Sequence, residues 1–220
     1  MHQPPESRFV PALRFHCLTP FYDAFISSTG RERTVKTALI RQACLAPGQQ
    51  VLDLGTGTGT LAIWAKRHQP LAEIRGVDGD AKILAIASRK ANKLNVPVQF
   101  DRARSNCLPS PATHFDRVLS SMFFHHLSWR DKERTAQEIL RILKPGAELH
   151  VADWGRASNL AMRGLFLTVQ LLDGFENTRD HVTGRLVTLF EQNGFVNVVQ
   201  QRSYNTLYGT ITLYRATRPR

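Results

Sequence analysis

Apolar and polar positions follow two different periods along this chain, and the change between them predicts strands and helices in turn. Short apolar runs, of the kind that form buried strands, lie at residues 51–54, 73–78, 96–100, 115–121 and 148–154. Apolar residues at helical spacing predict helices over residues 31–40, 61–68, 81–94 and about 131–143. Because right-handed crossovers connect such alternating elements, we expect an α/β fold with a doubly wound, mostly parallel sheet.

The last third of the chain departs from this alternation. Residues 159–172 form an apolar helical stretch, and residues 184–193 predict a further helix that Gly194 ends. Two strands then follow in succession, at 195–202 and 210–217. Because no helix separates them, they predict an antiparallel hairpin at the sheet edge, which brings the sheet to seven strands.

The first predicted strand ends in a loop that carries three alternating glycines, Gly55, Gly57 and Gly59. A helical pattern resumes directly after the loop, near Thr60. Glycines at alternate positions let backbone N–H groups face a ligand that side chains would otherwise hold off. The segment 51–63 therefore predicts a site for a nucleotide-like cofactor.

Two carboxylates accompany this loop, and one of them, Asp53, distinguishes it from a dinucleotide-binding loop. Asp53 lies inside the end of the first strand, where it disfavours a pyrophosphate and suits a cationic group, such as the amino group of a methionine moiety. Asp78 closes the second strand and can accept hydrogen bonds from both hydroxyls of a ribose, a feature shared with NAD-binding domains. A nicotinamide-dependent reductase therefore remains an alternative, which Asp53 and the terminal hairpin disfavour.

Together these features resemble the class I S-adenosylmethionine-dependent methyltransferases, and more narrowly the small-molecule group of ubiquinone/menaquinone-type methyltransferases. The resemblance covers about residues 20–218 and implies a Rossmann-like methyltransferase fold with an N-terminal helical cap. The motifs that carry it are the glycine loop at 51–59, Gly-Val-Asp at 76–78, Leu-Pro at 108–109, the strand at 115–121, His-His-Leu at 125–127 and Leu-Lys-Pro-Gly at 143–146.

The resemblance implies a set of residues that bind S-adenosylmethionine and leave S-adenosylhomocysteine as the product. The methionine part would lie along the loop residues Gly55, Thr56, Gly57 and Gly59, with Asp53 near its amino group through a water molecule. Asp78 would hold the ribose, and Gly79 would run beside the adenine.

The adenine and methyl ends of the cofactor are assigned by the same resemblance. In this family an acidic residue two positions before Leu-Pro usually accepts a hydrogen bond from the adenine amine. Here that position is Asn106, flanked by Ser105. An amide oxygen accepts the same hydrogen bond without a charge. Ser120, where the fourth strand ends, would lie beside the transferred methyl group.

Three side chains are candidate catalytic groups, since a base is needed when the methyl acceptor must lose a proton. His125 either orients or deprotonates the acceptor, or stabilises the turn into the next helix together with His126. Asp153 is a base, a hydrogen-bond acceptor or a strand-end cap, and Trp154 either stacks on a flat acceptor or packs in the core. Tyr22 closes over the cofactor or joins the cap to the core.

A polar group of residues follows the apolar stretch 159–172. It either lines an acceptor pocket or forms an ordinary loop and helix start, and its members are Glu176, Asn177 and His181. The apolar stretch itself favours a core helix, although a lipophilic acceptor could enter beside it.

Composition limits the classes of function without choosing among them. The 220 residues are 42% hydrophobic and 21% charged, which is typical of a soluble globular protein. We expect a segment and helical cap at 1–46 and a cofactor-binding domain at 47–220. The N-terminus lacks the apolar stretch of a signal peptide, and no run reaches the length of a membrane span, so we expect a cytoplasmic protein.

The basic charge and the cysteines leave two further alternatives. A net charge of +11 suits an anionic partner such as RNA, although the basic residues are scattered and no Asn/Asp-Pro-Pro-Tyr/Phe motif follows the fourth strand. The dispersed Cys17, Cys44 and Cys107 have no metal-ligand spacing, so we expect reduced thiols and no metal. We therefore predict a methyltransferase for a small acceptor, lipophilic or anionic, with an RNA-directed enzyme or a non-catalytic binding protein as alternatives.

Overall fold

A computed structural model describes residues 31–173, 180 and 184–220, and these form one sheet with helices on both faces. The strands are β1 (Gln50–Leu54), β2 (Glu73–Asp78), β3 (Gln99–Arg102), β4 (Phe115–Ser121), β5 (Leu143–Trp154), β6 (Val196–Thr206) and β7 (Gly209–Thr217). The helices are α1 (Glu32–Ala43), α2 (Thr60–His68), α3 (Ala81–Lys93), α4 (Trp129–Ile142), α5 (Leu160–Asp173) and α6 (Leu186–Gln192), with a 3₁₀ turn at Phe124–His126.

The strand order is β3-β2-β1-β4-β5-β7-β6, and it confirms the predicted topology. Strands β1 to β5 are parallel to one another, whereas β7 runs antiparallel between β5 and β6. The order along the sheet reverses between β1 and β4, and ligands of open α/β sheets bind beyond the carboxyl ends of the strands at such a point.

Two strands start several residues away from the predicted positions. Strand β3 begins at Gln99 rather than at residue 96, because Pro97 has no N–H to donate to a ladder. Strand β5 begins at Leu143, directly after α4, and its pairing with β4 shifts register between Phe115 and Arg117. The Pro-Gly pair therefore forms an irregularity inside β5 rather than a turn before it.

Each face of the sheet packs against its own set of helices. Helices α4 and α6 cover one face, where the buried side chains are Leu52, Val118, Ile139, Ile142, Leu189 and Phe190. Helices α1, α2 and α5 cover the other, where the buried side chains are Val51, Leu119, Leu39, Leu61, Ala65, Phe166 and Val169. The two layers bury apolar area of the kind that contributes most of the stability of an α/β domain.

Helix α1 packs directly on the sheet. Its Gln42 donates a hydrogen bond to the carbonyl oxygen of Tyr214 at 3.0 Å and lies 3.1 Å from Nδ1 of His150. The division into a cap at 1–46 and a domain at 47–220 stays a prediction, since residues 1–30 lie outside the described residues. Within the described part of the chain, no helix has the length and apolar character needed to cross a membrane.

Candidate active site

The glycine loop runs from the end of β1 to the start of α2 and is anchored to β2. Gly55, Gly57 and Gly59 all have positive φ, at 69°, 54° and 76°. The N–H groups of Gly55 and Thr56 donate to the carbonyl oxygen of Val77 at 2.9 and 3.0 Å. The backbone conformation therefore favours glycine, and hydrogen bonds to β2 anchor the loop.

The three glycines differ in what a side chain would meet. A Cβ at Gly59 would lie 2.8 Å from the ring of Phe100, and a Cβ at Gly55 would collide with the ring of Phe123. At Gly57 a Cβ would meet no atom within 4 Å. Packing thus explains Gly55 and Gly59, whereas Gly57 leaves open space above the loop, which a ligand can fill.

Asp53 lies beneath the loop and is 1% exposed. Its Oδ2 accepts hydrogen bonds from the Thr56 hydroxyl at 2.6 Å and from the N–H of Ala62 at 3.1 Å. Burial raises the pKa of Asp53 to about 6, although these hydrogen bonds act in the opposite direction. Asp53 therefore joins β1, the loop and the first turn of α2 through one carboxylate.

Asp78 closes β2 beside the same loop. Its Oδ2 accepts the N–H of Gly57 at 3.0 Å, and its Oδ1 accepts the N–H of Asp80 at 3.0 Å. Burial raises its pKa above the usual value for an aspartate. Gly79 follows, and its carbonyl oxygen accepts Nε of Arg102 at 3.2 Å. Each oxygen of Asp78 has a further lone pair, so both can also accept from ribose hydroxyls.

The two residues assigned to the adenine differ in their surroundings. Ser105 lies 2.8 Å from the hydroxyl of Thr135 on α4, so its hydroxyl is turned toward that helix. Asn106 is half-buried in a tight turn that an isolated bridge between Arg104 and Cys107 closes. The adenine role of Asn106 stays a prediction, and the geometry favours it over Ser105.

The end of β4 holds a residue that the sequence analysis missed. Ser120 is fully buried and donates to the carbonyl oxygen of Leu54 at 2.9 Å, so its hydroxyl ties β4 to β1. The hydroxyl of Ser121 is buried too, and among the described residues it has no hydrogen-bond partner. Side chains alternate between the faces of a strand, and this alternation is the signal that could have separated the two serines.

Asp153 is a fully buried acceptor at the end of β5. From the described residues its oxygens accept four hydrogen bonds, donated by the N–H groups of Phe123, Phe124 and Trp154 and by Nδ1 of His125. The carboxylate therefore holds the turn after β4 against β5. Its catalytic role stays a prediction, and this geometry favours positioning.

His125 lies in the turn that Asp153 holds. It is 2% exposed, its Nδ1 is 2.8 Å from Oδ1 of Asp153, and its ring centroid is 3.9 Å from that of His126. Trp154 packs in the core, with its ring centroid 5.4 Å from that of Phe166 on α5. The structure thus brings His125, Asp153 and Trp154 together at one rim of the sheet.

A buried cation behind this rim was also missed. Lys132 is fully buried, and its Nζ lies 3.3 Å from Oδ2 of Asp180, which also pairs with Arg185. Burial lowers the pKa of Lys132, while Asp180 and Asp153 raise it. The spacing along α4 could have predicted this burial. Lys132 precedes the inward-facing Ala136 by four residues, so both lie on the same face of the helix.

Several predicted residues cannot be compared with the structure. They are Tyr22, Glu176, Asn177, His181 and Cys17, and they lie outside the described residues. Cys44 and Cys107 are free and exposed, and within residues 31–173, 180 and 184–220 no group of three His, Cys, Asp or Glu side chains could hold a metal ion.

Known proteins match both the sequence and the fold. A family model described as a methyltransferase domain matches residues 51–146. The demethylmenaquinone methyltransferase of Thermus thermophilus is 39% identical over 56% of this chain and 53% of its own length. That of Lactiplantibacillus plantarum is 31% identical over 86% of this chain and 88% of its own length. The chain thus spans about half the length of the Thermus relative and nearly all of the second.

A solved structure supports the fold separately. A SAM-dependent methyltransferase from Aquifex aeolicus superposes with a TM-score of 0.64 at 19% identity, over 83% of this chain and 89% of the other. The long alignment with the Lactiplantibacillus enzyme reaches beyond the cofactor loop into the last third of the chain. This chain therefore belongs to the class I S-adenosylmethionine-dependent methyltransferases, in the family of the ubiquinone and menaquinone methyltransferases.

Proposed function

We propose that the chain transfers a methyl group from S-adenosylmethionine to a small, lipophilic, quinone-type acceptor. Three features that lie together carry the proposal: the carboxylate of Asp53, the open space above Gly57, and the carboxylate of Asp78. They lie at the point where the strand order reverses. The relatives named as demethylmenaquinone methyltransferases support this class of acceptor.

The residues around the loop fit the cofactor. Gly57 leaves room for the methionine part, since a Cβ there would meet no atom within 4 Å. Asp78 stands at the end of β2 with acceptors for two ribose hydroxyls. Asp53 places a carboxylate under the loop, where it attracts the amino group of the methionine part. The donors and acceptors therefore match a nucleoside that carries a cationic amino acid.

The protein has little covalent chemistry to perform. When bound, S-adenosylmethionine supplies a methyl group that its positively charged sulfur already activates. The turn after β4 lies beside the glycine loop that we assign to the cofactor, because the ring of Phe123 lies against Gly55. We assign Phe123 to the exclusion of water and His125, held by Asp153, to the orientation of the acceptor and the uptake of its proton.

Two earlier alternatives are not retained. An RNA-directed enzyme is disfavoured because the relatives that match most of this chain are named for quinone substrates. A non-catalytic protein is disfavoured because Asp53, the three glycines and Asp78 are all present and joined by hydrogen bonds.

Calorimetric titration with S-adenosylhomocysteine and a methyl-transfer assay test the proposal. We expect saturable binding of S-adenosylhomocysteine, no comparable binding of NADH, and, from demethylmenaquinone reduced to its quinol, a product in which one methyl group replaces a hydrogen atom. Absence of S-adenosylhomocysteine binding at millimolar concentration would refute the cofactor assignment. Binding without transfer to demethylmenaquinone, but with transfer to bulk tRNA, would refute the acceptor class.

The two serines at the end of β4 should respond differently to replacement by alanine. Ser120→Ala removes a buried hydrogen bond, so we expect the free energy of unfolding to fall by about 1 kcal/mol. Because the buried hydroxyl of Ser121 lacks a partner among the described residues, we assign it to a hydrogen bond with a bound ligand. We therefore expect Ser121→Ala to leave stability unchanged and to lower kcat/KM several-fold. Urea denaturation and steady-state kinetics distinguish the two, and equal stability losses would contradict the assignment.

Binding of S-adenosylhomocysteine should strengthen as the pH rises through about 6, where Asp53 ionises. Burial makes the folded protein hold this proton more tightly than the unfolded chain does. The protonated carboxyl therefore adds to the free energy of unfolding at low pH, and this contribution is lost as the pH rises through about 6. The ligand's amino group favours the ionised carboxylate, so we expect affinity to rise several-fold between about pH 5 and about pH 7.5.

Calorimetry across this range measures the effect, with Asp53→Asn as the comparison. We expect the variant to show a flatter pH profile, because its side chain does not titrate. A profile for the variant as steep as that of the wild type would mean that another group is responsible.

A further inference from the structure

The outward face of α5 is apolar where a surface helix is usually charged. Over residues 160–170, the exposed positions of this helix are all uncharged, and they are Leu160, Ala161, Gly164, Leu165, Leu167 and Thr168. Leu160 is 90% exposed, Leu165 39% and Leu167 42%. The opposite side packs in the core through Phe166 and Val169. The outward leucines leave much of their apolar surface in contact with water, which is the kind of surface that binds a partner.

The tip of the β6–β7 hairpin extends this apolar surface. A Cβ at Gly209 would lie 2.9 Å from the ring of Phe166, so the hairpin turn lies against α5. The N–H of Ser158, just before α5, donates to the Thr210 hydroxyl at 3.2 Å. Leu207, which is 63% exposed, lies in this turn. We call Leu160, Leu165, Leu167 and Leu207 the leucine face.

The chain segments that carry the leucine face have basic side chains and, apart from Asp173 at the end of α5, no acidic ones. Residues 154–170 and 192–220 contain no aspartate or glutamate. Exposed Arg156 precedes α5, Arg163 lies on it, and the guanidinium of Arg202 lies 5.5 Å from the ring centroid of Tyr204, which packs in the same core as Phe166. An apolar surface framed by arginines is complementary to an anionic, amphiphilic partner.

We propose that the leucine face docks on an anionic lipid bilayer. The leucines would enter the boundary between headgroups and acyl chains, and Arg156, Arg163 and Arg202 would pair with lipid phosphates. A second copy of the chain is a poorer occupant, because a symmetric contact would bring the arginines of both copies together. Residues 1–30 are also poorer, since their two arginines and two acidic residues leave no net negative charge.

The position of the face gives docking a use. Helix α5 follows the end of β5, and Phe166 contacts Trp154 at the rim of the candidate active site. A bilayer on the leucine face would therefore hold lipophilic molecules next to that rim. This use rests on the proposed function, whereas docking itself does not depend on methyl transfer.

Co-sedimentation of the full chain with lipid vesicles tests the proposal. One set of vesicles contains phosphatidylcholine alone, and the other contains equal parts of phosphatidylcholine and phosphatidylglycerol. We expect binding to the anionic set that weakens as salt is added. Leu165→Gln with Leu167→Gln should reduce the partition coefficient about ten-fold or more, since both leucines lose apolar contact. Arg156→Gln with Arg202→Gln should reduce the partition coefficient about twenty-five-fold, since each charge contributes about five-fold.

Matched controls come from another exposed part of the chain. Leu71 is 68% exposed after α2, and Arg67 is exposed in the last turn of α2. We expect Leu71→Gln and Arg67→Gln to bind vesicles as the wild type does. No binding of the wild type to anionic vesicles, or equal losses in the controls, would overturn the proposal. A dimer that the double leucine variant dissociates would also overturn it, in favour of an interface between copies.

Calorimetry with S-adenosylhomocysteine separates this proposal from the proposed function. We expect all four variants to bind the cofactor product as the wild type does, because the substituted residues lie away from the glycine loop. Cofactor binding without vesicle binding refutes docking alone. Vesicle binding without cofactor binding refutes the proposed function alone.

Discussion

Replacement of Asp153 by asparagine is expected to lower the free energy of unfolding by about 3 kcal/mol. The asparagine keeps the shape of the side chain but has one acceptor oxygen, whereas the carboxylate accepts four hydrogen bonds in a fully buried place. The amide NH₂ would face N–H donors that it cannot satisfy. Urea denaturation, followed by circular dichroism, measures the loss.

Asp116→Asn is the matched control for this change. Asp116 also accepts several hydrogen bonds, from Lys144 and from the N–H of Gln50, but its side chain is 24% exposed and water can replace these partners. We expect a loss below about 1 kcal/mol. A similar loss for both variants would show that the burial of Asp153 adds nothing to its role.

Gly57→Ala is expected to weaken binding of S-adenosylhomocysteine by on the order of a hundred-fold. The added methyl group meets no protein atom, so it would project into the space that we assign to the ligand. A non-glycine residue at φ 54° is also strained, which should cost about 1 kcal/mol of stability. Isothermal calorimetry measures the affinity, and thermal unfolding measures the strain.

Gly48→Ala separates the two effects. Gly48 also has a positive φ, 76°, and a Cβ there would meet no atom within 4 Å, but it precedes β1, at the other end of that strand from the glycine loop. We expect a similar loss of stability and unchanged affinity. If both variants bind S-adenosylhomocysteine equally well, the open side of Gly57 does not face the ligand.

The order of strands and helices could be predicted because each element carries a clear apolar period. The deviations have local causes, such as Pro97, which delays the start of β3 by withholding a hydrogen-bond donor. Strand β5 extends back to Leu143 because β4 pairs with it there through Phe115. The spacing of apolar residues does not reveal either cause, since both concern backbone hydrogen bonds between segments that are distant in the sequence.

The candidate site was predictable where one stretch of chain forms it, and less so where several stretches meet. The glycine loop and Asp78 are local signals, and the resemblance assigned them by position. The four donors around Asp153 come from two strand ends and a turn, so sequence alone left its role open between base and cap. Ser121 and Lys132 were missed because their importance depends on burial, which becomes visible when the sheet and α4 are assembled.

The position of β7 between β5 and β6 constrains the order in which the sheet can be completed. Strand β6 is made before β7 but touches the rest of the sheet through β7, so it must wait for a later segment before it can join. On a ribosome, β5 would emerge long before its antiparallel neighbour and would present an open edge in the meantime. The β6–β7 edge of the sheet is thus the last part to form during synthesis.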